Sequence, residues 1–234
     1  MKSKNKFFDY LVFIPAKGTS SGLKNKNLKK IGKLTLLEKT IKFAKKIPVN
    51  KLVFVSTDSK KIQKISKKNK AKCDFLRSKI LSKKDSDIKD ALIEFFDKIE
   101  KEKKPYIFKK IIILMPTQPF RKMNDLIKGT KLLQKKIKSV VSVKNLERSD
   151  NFIWKLKKNL INLKNDLIGE NRQFINKINY TPCGSFYILW TKDLKKMNRI
   201  FIKPAKYVVT KFPYNLDINE EIDLKISNKI LEII

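Results

Sequence analysis

Two stretches of this chain carry residue types suited to phosphate and metal chemistry. The first is Ile14-Pro-Ala-Lys-Gly-Thr-Ser-Ser-Gly-Leu-Lys-Asn-Lys-Asn27. Glycine and serine let backbone amides converge on an anion. Lys17 and Lys26 add the positive charge that a triphosphate needs. The Walker pattern Gly-x-x-x-x-Gly-Lys-[Ser/Thr] is absent, and so is the dinucleotide fingerprint. Taken as a pattern alone, an ordinary solvated loop fits as well. The second stretch is Asp217-Ile-Asn-Glu-Glu-Ile-Asp223. On an extended segment, residues 217 and 219 point to the same side. Read from the residues alone, the run suits an acidic first turn on the last helix, favourable with its dipole.

Composition narrows the chemistry further. The 234 residues include no histidine, so His-based acid–base relays, Ser-His-Asp systems and His metal ligands are excluded. Lys+Arg 56 against Asp+Glu 22 gives a formal charge of +34. One reading is a polyanion binder; the other is compositional drift in a chain rich in Lys, Ile and Asn. Arg77, Arg121, Arg148, Arg172 and Arg199 are the only arginines, and the lysines form no stripe alternating with aromatics. Dedicated nucleic-acid binders favour arginine, so drift is the preferred reading and no specific nucleic-acid partner is expected. Cys73 and Cys183 stand apart, without C-x-x-C spacing. The apolar run after the basic residues 1–9 is too short to span a membrane, so a soluble cytoplasmic protein is expected.

The elements that must position these residues read as an alternation of strands and helices. Continuous apolar runs at 10–14, 51–55 and 110–115 indicate strands buried on both faces. Residues 73–76 and 139–143 predict shorter strands, and the alternation returns with 184–190. Helical spacing covers 34–46, a segment marked by Ile62 and Ile65, and 87–103. It also covers 124–136, with Asn124 or Asp125 as cap, and about 220–231. The fold class is therefore α/β, Rossmann-like, with a mostly parallel sheet covered by helices on both faces. Ligands in such sheets bind beyond the carboxyl ends of the strands, which singles out the loops after Ile14, Val55 and Met115. The chain is expected to form one domain over 1–234. Residues 145–183 read as a small insertion, with a hairpin over 154–163, serving dimerisation or acting as a lid.

The motifs occur in a recognisable order. The first loop is followed by Val55-Ser-Thr-Asp58, Phe75-Leu-Arg77, Pro116-Thr-Gln-Pro-Phe-Arg121, Gly184-Ser-Phe-Tyr187 and Asp217-Ile-Asn219. Together they resemble the acylneuraminate cytidylyltransferases, the CMP-sialic acid synthetase family, across nearly the whole chain. The related 3-deoxy-manno-octulosonate cytidylyltransferases fit less well. The resemblance implies attack by the anomeric hydroxyl of a nonulosonic acid on the α-phosphate of CTP, with pyrophosphate leaving, Mg²⁺ as cofactor and a homodimer as the working form. It implies nucleotide contacts from Lys17, Gly18, Ser20, Gly22, Lys26, Asn27 and Arg77. Thr117, Arg172, Tyr187 and Phe201 would contact the sugar acid, Phe201 from the partner subunit. Lys26 and Asp217 would be the catalytic pair, and Asp217 with Asn219 would hold the metal.

Several positions depart from that family pattern. Lys17 stands where the family usually has Arg, and Ser21 where it commonly has Lys. Met115 replaces a Gln, Thr181 an Arg, Cys183 an Asn, and Asn219 an Asp. The departures at 115, 181 and 183 fall on the sugar side, implying either a sugar other than N-acetylneuraminate or a degenerate enzyme. A nucleotide-sugar glycosyltransferase is the enzymatic alternative, but no Asp-x-Asp follows Met115. A basic nucleic-acid-binding module is the non-enzymatic one.

Overall fold

The computed structural model describes residues 6–19, 22–83, 86–146, 155–157, 160–162 and 179–234. Its strands and helices run in chain order as follows. Strand β1 (Lys6–Pro15) precedes the short pair β2 (Lys30–Ile31) and β3 (Leu34–Thr35), then α1 (Leu36–Lys46). Next come β4 (Lys51–Ser56), α2 (Lys60–Lys68), α3 (Ile88–Lys101), β5 (Tyr106–Ile113) and α4 (Met123–Leu132). Strand β6 (Ser139–Asn145) precedes the hairpin β7 (Lys155–Lys157) and β8 (Leu160–Asn162). The described chain closes with β9 (Tyr180–Trp190), α5 (Thr191–Met197), β10 (Ala205–Val209) and α6 (Glu221–Ile233).

Six strands form the main sheet, in the order β10-β6-β9-β5-β1-β4. Strand β1 pairs in parallel with both β4 and β5, and β10 with β6; β9 runs antiparallel between β5 and β6. The mostly parallel α/β expectation therefore holds, with β9 as the exception. Alternation along β1 divides the core: Val12 and Ile14 face α1, α2 and α4, while Leu11 and Phe13 face α3 and α5. Both faces are dry, which is why the run reads as uninterrupted apolar residues. On the α3 side, Phe95 lies 4.6 Å from Phe54 and 6.1 Å from both Phe13 and Phe75, ring to ring. A third, smaller core joins Leu23, Ile31, Phe120, Ile218 and Leu224 and fastens α6 to the loop after β1.

Local chemistry sets the ends of the elements. Helix α1 starts on a capping box: Thr35 Oγ1 accepts from Glu38 N–H (3.2 Å) and Glu38 Oε2 accepts from Thr35 N–H (2.9 Å). Asp87 caps α3 by accepting from Lys89 N–H at 3.0 Å. Two expectations need correction. Residues 73–76 form no strand; a single bridge joins Lys72 to Phe54. Arg77 N–H donates to Thr57 O (2.7 Å), which draws the chain across the end of β4 rather than alongside it. Helix α4 starts one residue early, after Lys122, with no side-chain cap, so Asn124 and Asp125 lie inside its first turn. It ends at Leu132, because Leu133 turns into the core. The expected hairpin is present as β7 and β8. Strand β9 begins at Tyr180, so residues 180–183 belong to the main sheet.

Candidate active site

Strands β1, β4 and β5 end side by side, at Pro15, Ser56 and Ile113. Beyond them lies a cleft of about 260 Å³. It brings together Lys17, Lys26, Asn27, Arg77 and Thr117, five residues drawn from three separate motifs. Met115 and Pro116 form its wall on the β5 side, and Ser86, Asp87 and Ile88 close it with the start of α3.

The loop after β1 is held by its own polar groups. The Asn27 side chain is buried and donates from Nδ2 to Lys17 O at 2.8 Å, so it clasps the loop. Asn25 supplies the left-handed turn (φ 56°) that starts the 3-10 turn Lys26–Leu28. Gly18 N–H donates to Asp58 Oδ1 at 2.7 Å. A Cβ at Gly18 would fall 2.8 Å from that of Ser59, so only glycine lets the two loops touch. The Gly18 amide therefore faces a carboxylate, and the cationic side chains define the cleft's preference for anions.

Arg77 is buried, with Nε donating to Ser56 Oγ (3.0 Å) and Nη2 to Ser56 O (2.6 Å). Burial pulls its pKa down, and Asp58 and Glu94 oppose that. It remains a cation at neutral pH, fixed to the end of β4 and facing the cleft.

The acidic stretch reaches the same place through the third core. Ile218 is fully buried, and its N–H donates to Thr117 O at 2.8 Å, which ties the segment to the β5 loop. Asp217 and Asn219 consequently point away from that core. Lys26 Nζ donates to Asn219 Oδ1 (3.2 Å), and Asn219 Nδ2 donates to Asp217 Oδ2 (3.1 Å). Asp217 Oδ1 is buried without a hydrogen-bond partner. Asp223 instead caps α6, accepting from Asn219 N–H (2.7 Å) and Glu220 N–H (2.8 Å), and Glu221 pairs with Lys29 at 3.4 Å. The helix-start reading of the acidic run is thus met by Asp223 and Glu221, while Asp217 and Asn219 face Lys26. A Cβ at Gly22 would lie 3.0 Å from Asn219 O, so this glycine admits the acidic segment to the loop. Among the described residues, no three acidic or sulfur side chains cluster closely enough to hold a metal alone.

The remaining expected residues are placed differently. Tyr187, on β9, is partly buried; burial raises its pKa most, and charge at Cys183 and Asp217 adds to it. Phe201 lies between α5 and β10, 49% exposed, and does not line the cleft. Ser20, Ser21 and Arg172 lie outside the described residues. Three residues with no assigned role prove central to the geometry. Asp58 receives Gly18. Gln118 is buried in the turn after β5. Arg121 donates to Ser185 O (3.0 Å), Thr40 Oγ1 (3.3 Å) and Met115 O, which locks the β5 loop against β9 and α1. Burial lowers its pKa to about 9, still protonated at neutral pH. All three lie in motifs that were visible in the sequence, as polar residues directly after buried strands.

A family model described as Cytidylyltransferase matches residues 11–106. The CMP-N,N'-diacetyllegionaminic acid synthase of Legionella pneumophila subsp. pneumophila is 27% identical over 95% of this chain and 96% of that protein. The post-translational flagellin modification protein B of Campylobacter coli is 26% identical over 93% of each. The N-acylneuraminate cytidylyltransferase of Escherichia coli is 27% identical over 93% of this chain and 51% of that longer protein. Among solved structures, a CMP:2-keto-3-deoxy-manno-octonic acid synthetase complexed with CTP superposes with a TM-score of 0.67. It covers 96% of this chain and 99% of that one at 13% identity, a likeness of fold.

Proposed function

We propose that this chain, a nucleotidyltransferase of the acylneuraminate cytidylyltransferase family, transfers CMP from CTP to the anomeric hydroxyl of a nonulosonic acid of the sialic, legionaminic or pseudaminic type, releasing pyrophosphate. The observation that carries the reading is the convergence of Lys17, Lys26, Asn27, Arg77 and Thr117 on one cleft at the carboxyl ends of β1, β4 and β5. Phosphoryl transfer of this kind requires charge neutralisation and alignment rather than a histidine relay. Lys17 and Lys26 supply charge beside the phosphates. Asn27 fixes the loop that carries them, and Arg77 adds a third cation on the β4 side.

Mg²⁺ is the proposed cofactor, and the residues fit it. Asp217 Oδ1 is an oxygen with no protein partner, and Asn219, which now turns its nitrogen to Asp217 and its oxygen to Lys26, would lend a second oxygen on turning its carboxamide over. Magnesium favours one or two protein oxygens completed by phosphates and water, so two ligands suffice. When bound, the ion would neutralise charge on the triphosphate. The working form is a cytoplasmic homodimer in which the segment between β6 and β9 supplies the contact and Phe201 reaches the partner's cleft. No helix among the described residues is long and apolar enough to cross a membrane. The product would feed cell-surface glycan synthesis.

The test is pyrophosphate release from CTP across a panel of nonulosonic acids. Release is expected only with both an acid and a divalent cation, and chelation should abolish it. Release with no acid, or none with any acid, would reject the reading.

A further inference from the structure

The side chain of Gln118 is an unusual feature of the β5 loop. The residue is 0% exposed, yet neither Oε1 nor Nε2 has a hydrogen-bond partner. Its backbone is satisfied, with N–H donating to Met115 O at 3.1 Å. A carboxamide offers two donors and an acceptor, and buried groups of this kind are normally paired. Such a group destabilises the empty protein unless something else completes it.

Its surroundings indicate what completes it. The amide lies beside Gly184, as Met115 does: a Cβ at Gly184 would be 3.8 Å from Gln118 Nε2 and 3.7 Å from Met115 Cγ. Gly184 has φ +77°, a conformation that favours glycine, so the backbone can approach the amide closely. Met115 lines the cleft, and its unbranched side chain adapts easily. The neighbouring Thr117 O binds Ile218 N–H, which brings Asp217 and its own unpartnered Oδ1 to the same side. Between Val141 and Val143 the β6–β9 register shifts, with residues 183–186 of β9 opposite Ser142 alone, whose hydroxyl accepts from Phe186 N–H (2.9 Å) and donates to Phe186 O (3.0 Å). That bulge fixes the course of β9 just past Gly184. The phosphate-binding cations lie on the β1 and β4 side, so the β9 side is left for the second substrate.

We propose that Gln118 determines acceptor specificity. Its carboxamide pairs with a neutral donor–acceptor substituent of the sugar acid, a hydroxyl or an acylamino group, once Met115 swings aside. This rests on the reaction proposed above. The experiment compares wild type with Gln118→Leu, which keeps the approximate volume and removes the polar atoms. Without ligands the variant should melt at a higher temperature, because an unpartnered buried amide is gone. In turnover, KM for the acid should rise about tenfold or more, while KM for CTP stays within about twofold. Acids with and without the acylamino group separate the two substituents, since the variant should lose discrimination only for the group that Gln118 reads. An unchanged KM for the acid, or a lower melting temperature, would overturn the proposal. Absence of turnover in the wild type would instead reject the reaction, and a fall in melting temperature would still decide against the amide.

Discussion

Lys26 joins the two halves of the site. It lines the cleft and donates to Asn219, the middle member of the chain from Lys26 to Asp217. A charge-assisted contact of this type contributes about 1.5–3 kcal/mol, so Lys26→Ala should lower kcat/KM about 10–100-fold. Steady-state kinetics at saturating metal would check it, and wild-type values would remove Lys26 from the site. Cys73 makes the opposite point. It is buried beneath β4, and desolvation raises its pKa from 9.0 to about 11. A raised thiol pKa disfavours the thiolate, which is the nucleophile. At pH 9 the native thiol should therefore resist iodoacetamide, with labelling growing only as pH approaches 11. Peptide mass spectrometry after timed alkylation reads this directly; rapid labelling at pH 8 would contradict the burial.

At the scale of elements, α6 is more than a closing helix. Asp223, the third helical residue and the acceptor of its capping box, holds the backbone amides of Asn219 and Glu220, so the box also orients the loop that carries Asp217 and Asn219. Asp223→Ala should cost about 1 kcal/mol of stability. It should also raise the half-saturating Mg²⁺ concentration while leaving KM for CTP near wild type. Thermal melts and a metal titration together test this; lost stability with an unchanged titration would reduce the cap to a purely structural role. The strands ending at Pro15 and Ser56, and the polar loops after them, were legible because burial on both faces leaves continuous apolar runs. The loop after Pro15 singled out Lys17 and Lys26 by charge, whereas Asn27, Arg77 and Thr117 came from the family resemblance. Asp58 under Gly18 and Arg121 against Thr40 were not assigned, since those contacts span 40 and 81 positions and no local pattern encodes them. The segment at 73–76 failed as a strand for a related reason. Its apolar residues serve the aromatic cluster, with Phe75 5.2 Å from Phe54, rather than a sheet neighbour.

For the molecule as a whole, the formal charge of +34 acts at long range. Only a few lysines enter the cleft, while the field of the rest draws anions toward it. That field is screened over about 8 Å at physiological salt. kcat/KM for CTP should therefore fall severalfold between low and high salt, with kcat changing much less. A flat kcat/KM would make the surface charge irrelevant to capture. The central claim concerns bond formation at the α-phosphate, and product analysis tests it most directly. CTP labelled at the α-phosphate, incubated with enzyme, Mg²⁺ and a nonulosonic acid, should yield a CMP ester of that acid, mole for mole with pyrophosphate. Recovery of the label as CDP with free phosphate, or as CMP with the acid unmodified from the start of the time course, would contradict the account.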